Sequence, residues 1–245
     1  MAPSLERVRD AMHRLFIAAE GAALRAEDEQ KSREVCALLP HLAKIKRGAH
    51  LVDAAAGKAS VGLVAAELLG FERLTILERD PKRVAACRAA TLRLSRPIPV
   101  DVREADVGDR AAWPREPDAV VALHACGPAA DLVIAGAAAA RARQLLLAPC
   151  CYGRAIPFHA GAARAIANLR FAADELLARR MAASLIDLER KLRLEVAGYD
   201  TKLCAFVAPT VTPHDLLFVG WRTDTPARVA RAEARLAALR AAAGS

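Results

Sequence analysis

Apolar residues Leu5, Val8, Met12, Leu15, Phe16 and Ala19 recur three and four positions apart, with Arg7, Arg9 and Arg14 between them. That period predicts an amphipathic helix over residues 5–23. A second helical period covers residues 26–39 and is expected to end or kink at Pro40. The pattern then changes. Short runs at 50–53, 74–77, 119–123 and 144–148, mostly apolar, and an alternating one at 100–104 read as strands, with helical stretches at 60–69, 81–94 and 129–140 among them. Asp80-Pro81 supplies an N-cap followed by proline at the first helical position. The unbroken apolar run at 119–123 suits a central strand covered on both faces. After residue 151 the alternation stops: 160–196 is helical in pattern, 203–207 and 216–221 read as two strands able to pair antiparallel, and 226–243 as a last helix. The expected architecture is α/β and Rossmann-like. It has N-terminal helices over residues 1–47, a seven-stranded sheet domain over 48–223 with a helical insertion before the last two strands, and a C-terminal helix over 224–245.

At 245 residues the chain can bury one large core. No apolar run approaches the roughly 20 residues that span a bilayer, and the N-terminus lacks the apolar centre of a signal peptide. The expectation is a cytoplasmic protein with no membrane contact and no obligatory protein partner. The net charge of +8 fits a polyanion such as RNA held through basic helices, and equally fits arginines that solvate helix faces. Arg164, Arg170, Arg179, Arg180, Arg190, Lys191 and Arg193 are the candidates for such a basic wall. Aromatic residues make up only 4%, so binding of single strands by base stacking is not advertised. The six cysteines have no paired spacing, and Cys36, Cys87 and Cys204 read as core filler.

In an open α/β sheet, ligands bind beyond the carboxyl ends of the strands. The stretch Leu51-Val52-Asp53-Ala54-Ala55-Ala56-Gly57-Lys58 ends a strand on a carboxylate and turns through small residues into a helix. Asp53, Ala55, Gly57, Lys58, Glu78, Asp106 and Leu123 are the candidate cofactor residues. Gly57 allows close backbone approach. Glu78 offers two acceptor oxygens to a pair of ribose hydroxyls, and Asp106 can accept from an adenine amino group. Lys58 can neutralise a cofactor carboxylate, or be simply exposed. Val52 and Ala59 rule out a P-loop, and Ala55 stands where a dinucleotide fingerprint would carry glycine. Pyrophosphate is therefore poorly supported, and S-adenosylmethionine, which has none, is favoured.

Three motifs carry a resemblance: Asp53-x-x-x-Gly57-Lys58, His124-x-Cys126-Gly127-x-Ala129-x-Asp131, and Pro149-Cys150-Cys151-Tyr152. Together they resemble a class I S-adenosylmethionine-dependent methyltransferase-domain family with many bacterial members. Its distant relatives include a eukaryotic tRNA 2′-O-methyltransferase with His-x-Cys-Gly and Cys-Cys-His signatures. The likeness extends to Lys31-x-x-Glu34, to Leu188-Glu189-Arg190 through Gly198-Tyr199, and to residues 212–217, covering most of residues 31–221. It implies the seven-stranded class I methyltransferase sheet, S-adenosylmethionine as cofactor and RNA as substrate. The chain departs from the family at Ala55 and Ala59, where glycine is common, at Tyr152, where relatives have His, and at Asp215, where Asn is usual.

His124, Cys126, Cys150 and Cys151 are the candidate catalytic residues, and three chemistries compete for them. His124 can act as a general base or substrate positioner, since its ordinary pKa suits neutral pH. Cys150 or Cys151 can attack a pyrimidine ring covalently. His124, Cys126 and one tandem cysteine can bind zinc, although no Cys-x-x-Cys pair is present. The bland alternative is small polarizable side chains packed against a cofactor. The preferred reading is His124 as base or substrate positioner, with no metal. A nicotinamide-dependent reductase, or a cofactor- or zinc-binding protein without methyl transfer, are the alternatives.

Overall fold

The computed structural model describes residues 2–18, 23–45, 48–168 and 174–244. Seven strands form one sheet: β1 (His50–Ala54), β2 (Arg73–Glu78), β3 (Val100–Glu104), β4 (Ala119–Cys126), β5 (Gln144–Cys150), β6 (Tyr199–Ala205) and β7 (Leu216–Arg222). Their order is β3-β2-β1-β4-β5-β7-β6, and only β7 runs against its neighbours. Strand order reverses between β1 and β4, which opens a crevice at their carboxyl ends. This is the expected Rossmann-like sheet with its last strand inserted antiparallel.

Strand alternation sorts side chains onto two faces. Leu51, Ala119, Val121, Leu146 and Ala148 face one core, and Val52, Val120, Ala122, Leu145 and Leu147 face the other. The first core is covered by α1 (Leu5–Met12), α2 (Ala26–Leu42), α3 (Ser60–Leu69) and α4 (Pro81–Thr91). The second is covered by α5 (Ala129–Ala139) and the end of α7 (Glu175–Val196). A smaller third core, with Ile156, Phe158 and Ile186, ties α6 (His159–Asn168), α7 and α8 (Pro226–Ala242) together. Among the described residues no helix is long and apolar enough to cross a membrane.

Several expected boundaries move, each for a physical reason. The first helix does not run regularly to residue 23: α1 passes at His13 into a π-helical turn that ends at Ile17, and residues 19–22 lie outside the described residues. The second does not stop at Pro40. Pro40 sits in the last turn of α2, where its missing N–H forfeits a single internal bond while Leu38, Leu39 and Leu42 stay buried around it. The helical stretch 160–196 resolves into α6 and α7, with 169–173 outside the described residues. β6 begins at Tyr199 rather than at residue 203. Leu203, which suggested the later start, is exposed, whereas Tyr199 is fully buried and its hydroxyl donates to the Ala142 carbonyl at 2.8 Å.

The basic wall is also corrected in part. Arg190 is not on a solvated face but fully buried, donating to Asp131 Oδ2 at 2.7 Å and to the Gly127 carbonyl at 3.1 Å. Arg193 joins it on Asp131 Oδ1 at 2.8 Å. From the same helix Asp187 accepts the Tyr152 hydroxyl at 2.8 Å. Helix α7 therefore fastens both loops that leave β4 and β5.

Candidate functional site

The loop from β1 to α3 is unusual in its backbone. Ala55, Gly57 and Ala59 all adopt the left-handed conformation, with φ of 52°, 59° and 57°. Only glycine does so freely; for alanine the cost is about 1–2 kcal/mol each. The path of this loop thus favours glycine at positions 55 and 59, yet it is followed here with alanine. A Cβ added at Gly57 would meet nothing within 4 Å, so open space lies directly against the backbone there.

Two carboxylates hold the loop. Glu78 Oε2 accepts from the Gly57 amide at 2.7 Å, and its Oε1 accepts from the Asp80 amide at 2.9 Å. Asp53 is buried at the end of β1, and its Oδ2 accepts from the Gly62 amide in the first turn of α3 at 2.7 Å. Burial above all, with Glu78 adding, pushes the Asp53 carboxyl up to about 7, against the opposing Gly62 hydrogen bond. Gly62 is required by this contact, since a Cβ there would lie 2.8 Å from that of Asp53.

A cleft of about 450 Å³ opens over the loop, within the range of small-molecule sites. Asp53, Ala55, Gly57, Lys58, Leu123 and His124 line it, so six of the expected residues come together. Met12, Phe16 and Ile17 roof it, with Lys31 of α2. Glu78 lies behind the loop and Asp106 beyond the end of β3; neither is part of this lining. Asp106 accepts from the Gly108 amide at 2.8 Å and from Arg79 at 3.3 Å. Open space at Gly57, two buried carboxylates holding the loop and an adjacent cleft fit a nucleoside-bearing cofactor without pyrophosphate.

β4 and β5 run past their expected ends to Cys126 and Cys150, and a register shift between Leu123 and Ala125 interrupts their pairing. The displaced residue is His124, itself left-handed with φ 58°. The bulge turns its ring away from the strand pair and toward α2, where Nε2 lies 3.0 Å from Glu34 Oε2. Glu34 is fully buried and also accepts from Lys31 Nζ at 2.6 Å and Gln30 Nε2 at 3.2 Å. Burial alone would raise this carboxyl, but hydrogen bonds and charges from His124 and Lys31 outweigh it and hold it at about 2. The ring of His214, from the segment before β7, stands edge-on 6.4 Å from that of His124. Glu34 and His214 belong to stretches that the sequence resemblance picked out, but neither received a role there. Their helix and loop are brought to the end of β4 only by the tertiary fold.

The cysteines gather separately. Cys126 and Cys150 are register partners on β4 and β5, and their sulfurs lie with that of Cys151 within 4.8 Å of one another. His124 is not among them, so a zinc site that uses His124 with two cysteines does not match this geometry. Burial, with Cys126 and Cys151 adding, pushes the Cys150 thiol up, which disfavours a free thiolate nucleophile. Cys87 is buried in the core, as expected of filler.

A family model described as a methyltransferase domain matches residues 29–155, over half of the chain, from α2 through the loop after β5. Among solved structures, magnesium protoporphyrin IX methyltransferase from Synechocystis, with bound SAH, is 15% identical. The match covers 87% of this chain and 93% of that one, at TM-score 0.50. Precorrin-6y C5,15-methyltransferase from Geobacter metallireducens is 16% identical, covering 85% and 98%, at TM-score 0.47. The fibrillarin pre-rRNA processing protein of Methanococcus jannaschii is 15% identical, covering 74% and 69%, at TM-score 0.49. Likeness at these identities is one of fold. No curated protein matches the chain.

Proposed function

The chain belongs to the methyltransferase-domain family whose model it matches, and on that premise we propose that it methylates RNA, with His124 as the general base. Membership sets the enzyme class and cofactor: this is an S-adenosylmethionine-dependent methyltransferase. When bound, that cofactor supplies an electrophilic methyl group. The chain's own residues do the rest. Gly57 presents bare backbone and Ala55 only a methyl group to the cleft, Asp53 and Glu78 fix the path of the loop, and Lys58 offers a cation to an amino-acid carboxylate.

The observation that carries the proposal is the Lys31–Glu34–His124 chain at the wall of the cleft. An ionised, buried Glu34 takes the proton-bearing Nε2 of His124, which leaves Nδ1 to receive the proton of an acceptor hydroxyl. The His124 and Lys31 hydrogen bonds and the Lys31 charge keep Glu34 ionised against burial. A base of this kind serves a hydroxyl acceptor such as a ribose, and the likeness of the His-x-Cys-Gly stretch to a tRNA 2′-O-methyltransferase supports that choice. For RNA as the polymer, support comes from the charge of +8 and from Lys58 and Arg83, which line the cleft with no ion-pair partner among the described residues. Cys150 is less well supported as a nucleophile, because it is buried with a raised thiol.

The test is transfer of tritiated methyl from S-adenosylmethionine to total RNA, to protein extract and to small molecules. Label in RNA, located by nuclease digestion at a ribose, is the expected result. Label confined to protein or small molecules refutes the substrate.

A further inference from the structure

We infer that Cys126, Cys150 and Cys151 form a three-thiolate site for one soft divalent cation of the zinc class. The site is separate from the methyl-donor cleft and from His124. Consecutive residues of a strand point to opposite faces, so tandem cysteines ordinarily diverge. Here they do not. Cys150 is the last residue of β5, and Cys151 turns left-handed at φ 58°, which swings its side chain back toward its neighbour. Cys126 enters from β4 as the register partner of Cys150, and the Gly127 amide donating to the Cys150 carbonyl at 3.1 Å holds the two strand ends together.

The three sulfurs lie within 4.8 Å of one another. Tetrahedral zinc with bonds of about 2.3 Å sets its sulfurs about 3.8 Å apart. The remaining gap is up to about 1 Å. Three thiolates are a soft donor set that selects zinc over magnesium or calcium. They carry one more negative charge than the cation neutralises, and Arg83 at the start of α4 acts on Cys126 with the opposite sign. Cys150 is buried while Cys126 and Cys151 are exposed, so the fourth position faces solvent and takes water. On binding, each thiol gives up its proton to solvent, and about three protons leave per metal.

The experiment is titration of the full chain, purified under reducing and chelating conditions, with cobalt(II) in the absence of oxygen. One equivalent is expected to give a thiolate-to-cobalt charge-transfer band, which zinc then abolishes by displacement. The band is lost in Cys126→Ser and in Cys151→Ser, whose exposed positions tolerate the change, and is kept in Cys204→Ser. Absence of a band at one equivalent overturns the proposal, as does a band that survives both exposed-cysteine substitutions. Cobalt absorption reads the site whether or not the protein methylates RNA, so failure of one reading leaves the other intact.

Discussion

Two buried carboxylates at and behind the cleft respond to pH in opposite directions. Glu34 is held at about 2, below its ordinary 4.5, so its ionised form stabilises the fold above pH 4.5 and that contribution drains away as pH falls toward 2. Asp53 is raised to about 7 from 3.8, so its protonated form stabilises the fold below 3.8 and the contribution is lost as pH rises through 7. Thermal melts across pH are expected to show Glu34→Gln flattening the limb below pH 4.5 and Asp53→Asn flattening the decline between pH 3.8 and about 7. For the chemistry, His124→Ala should lower kcat by about a hundredfold or more, the scale of a positioned base, with cofactor affinity unchanged in calorimetry. Glu34→Gln should act through His124 alone: a smaller loss in kcat, a displaced pH–rate profile, and no change in cofactor affinity. Unaltered turnover in His124→Ala removes it as base. The acid–base half of the site was visible in the sequence only as His124. Its partner Glu34 is 90 residues away, on a helix whose place over β4 no local pattern announces.

At the scale of elements, the regular parts of the chain were legible because burial imposes a period. The apolar runs at 51–52, 119–123 and 145–148 are the strands covered on both faces, and the structure keeps them where the pattern put them. What the pattern could not give was what happens past the last apolar residue. β4 and β5 continue through His124, Ala125, Pro149 and Cys150 because neighbouring backbone is there to pair with, and pairing is a long-range event. The left-handed residues His124 and Cys151 were equally hidden, since neither is glycine, whereas Ala55 and Ala59 were marked only by the glycine that the resembled family carries there. Arg190 was misread for the same reason: charge suggested solvent, but Asp131 from α5 and the Gly127 carbonyl hold it inside, with Nη1 3.6 Å from Asp187 Oδ1. An Arg190→Ala substitution leaves Asp187 without its cation and Asp131 with Arg193 alone, both beside an apolar gap. It should cost about 3–5 kcal/mol in denaturant melts, the usual penalty for breaking a buried pair. Arg193→Ala, on a partly exposed residue of the same helix, should cost far less.

At the scale of the whole molecule, the excess positive charge has to be separated into charges that stabilise the fold and charges that meet a partner. Arg190 and Arg193 are consumed internally by Asp131, and Lys191 by Glu195. Arg164 donates to the carbonyl of Ala243. What remains of the wall on α7 is Arg179 and Arg180, both exposed, with Arg179 only loosely paired to Glu175 at 3.8 Å. If these two contact RNA phosphates, each contributes about 0.7 to the slope of log affinity against log salt, the single-strand value. The doubly substituted Arg179→Ala, Arg180→Ala protein should then show a slope shallower by about 1.4. Its KM for RNA should be raised, and its kcat at saturating RNA should match the unaltered chain, since neither residue lines the cleft. Filter binding at a series of potassium chloride concentrations measures the slope directly. A slope unchanged by the double substitution assigns both arginines to solvation of the helix face. The RNA contact would then fall to the cations at the cleft mouth, Lys58 and Arg83, where it can be sought by the same measurement.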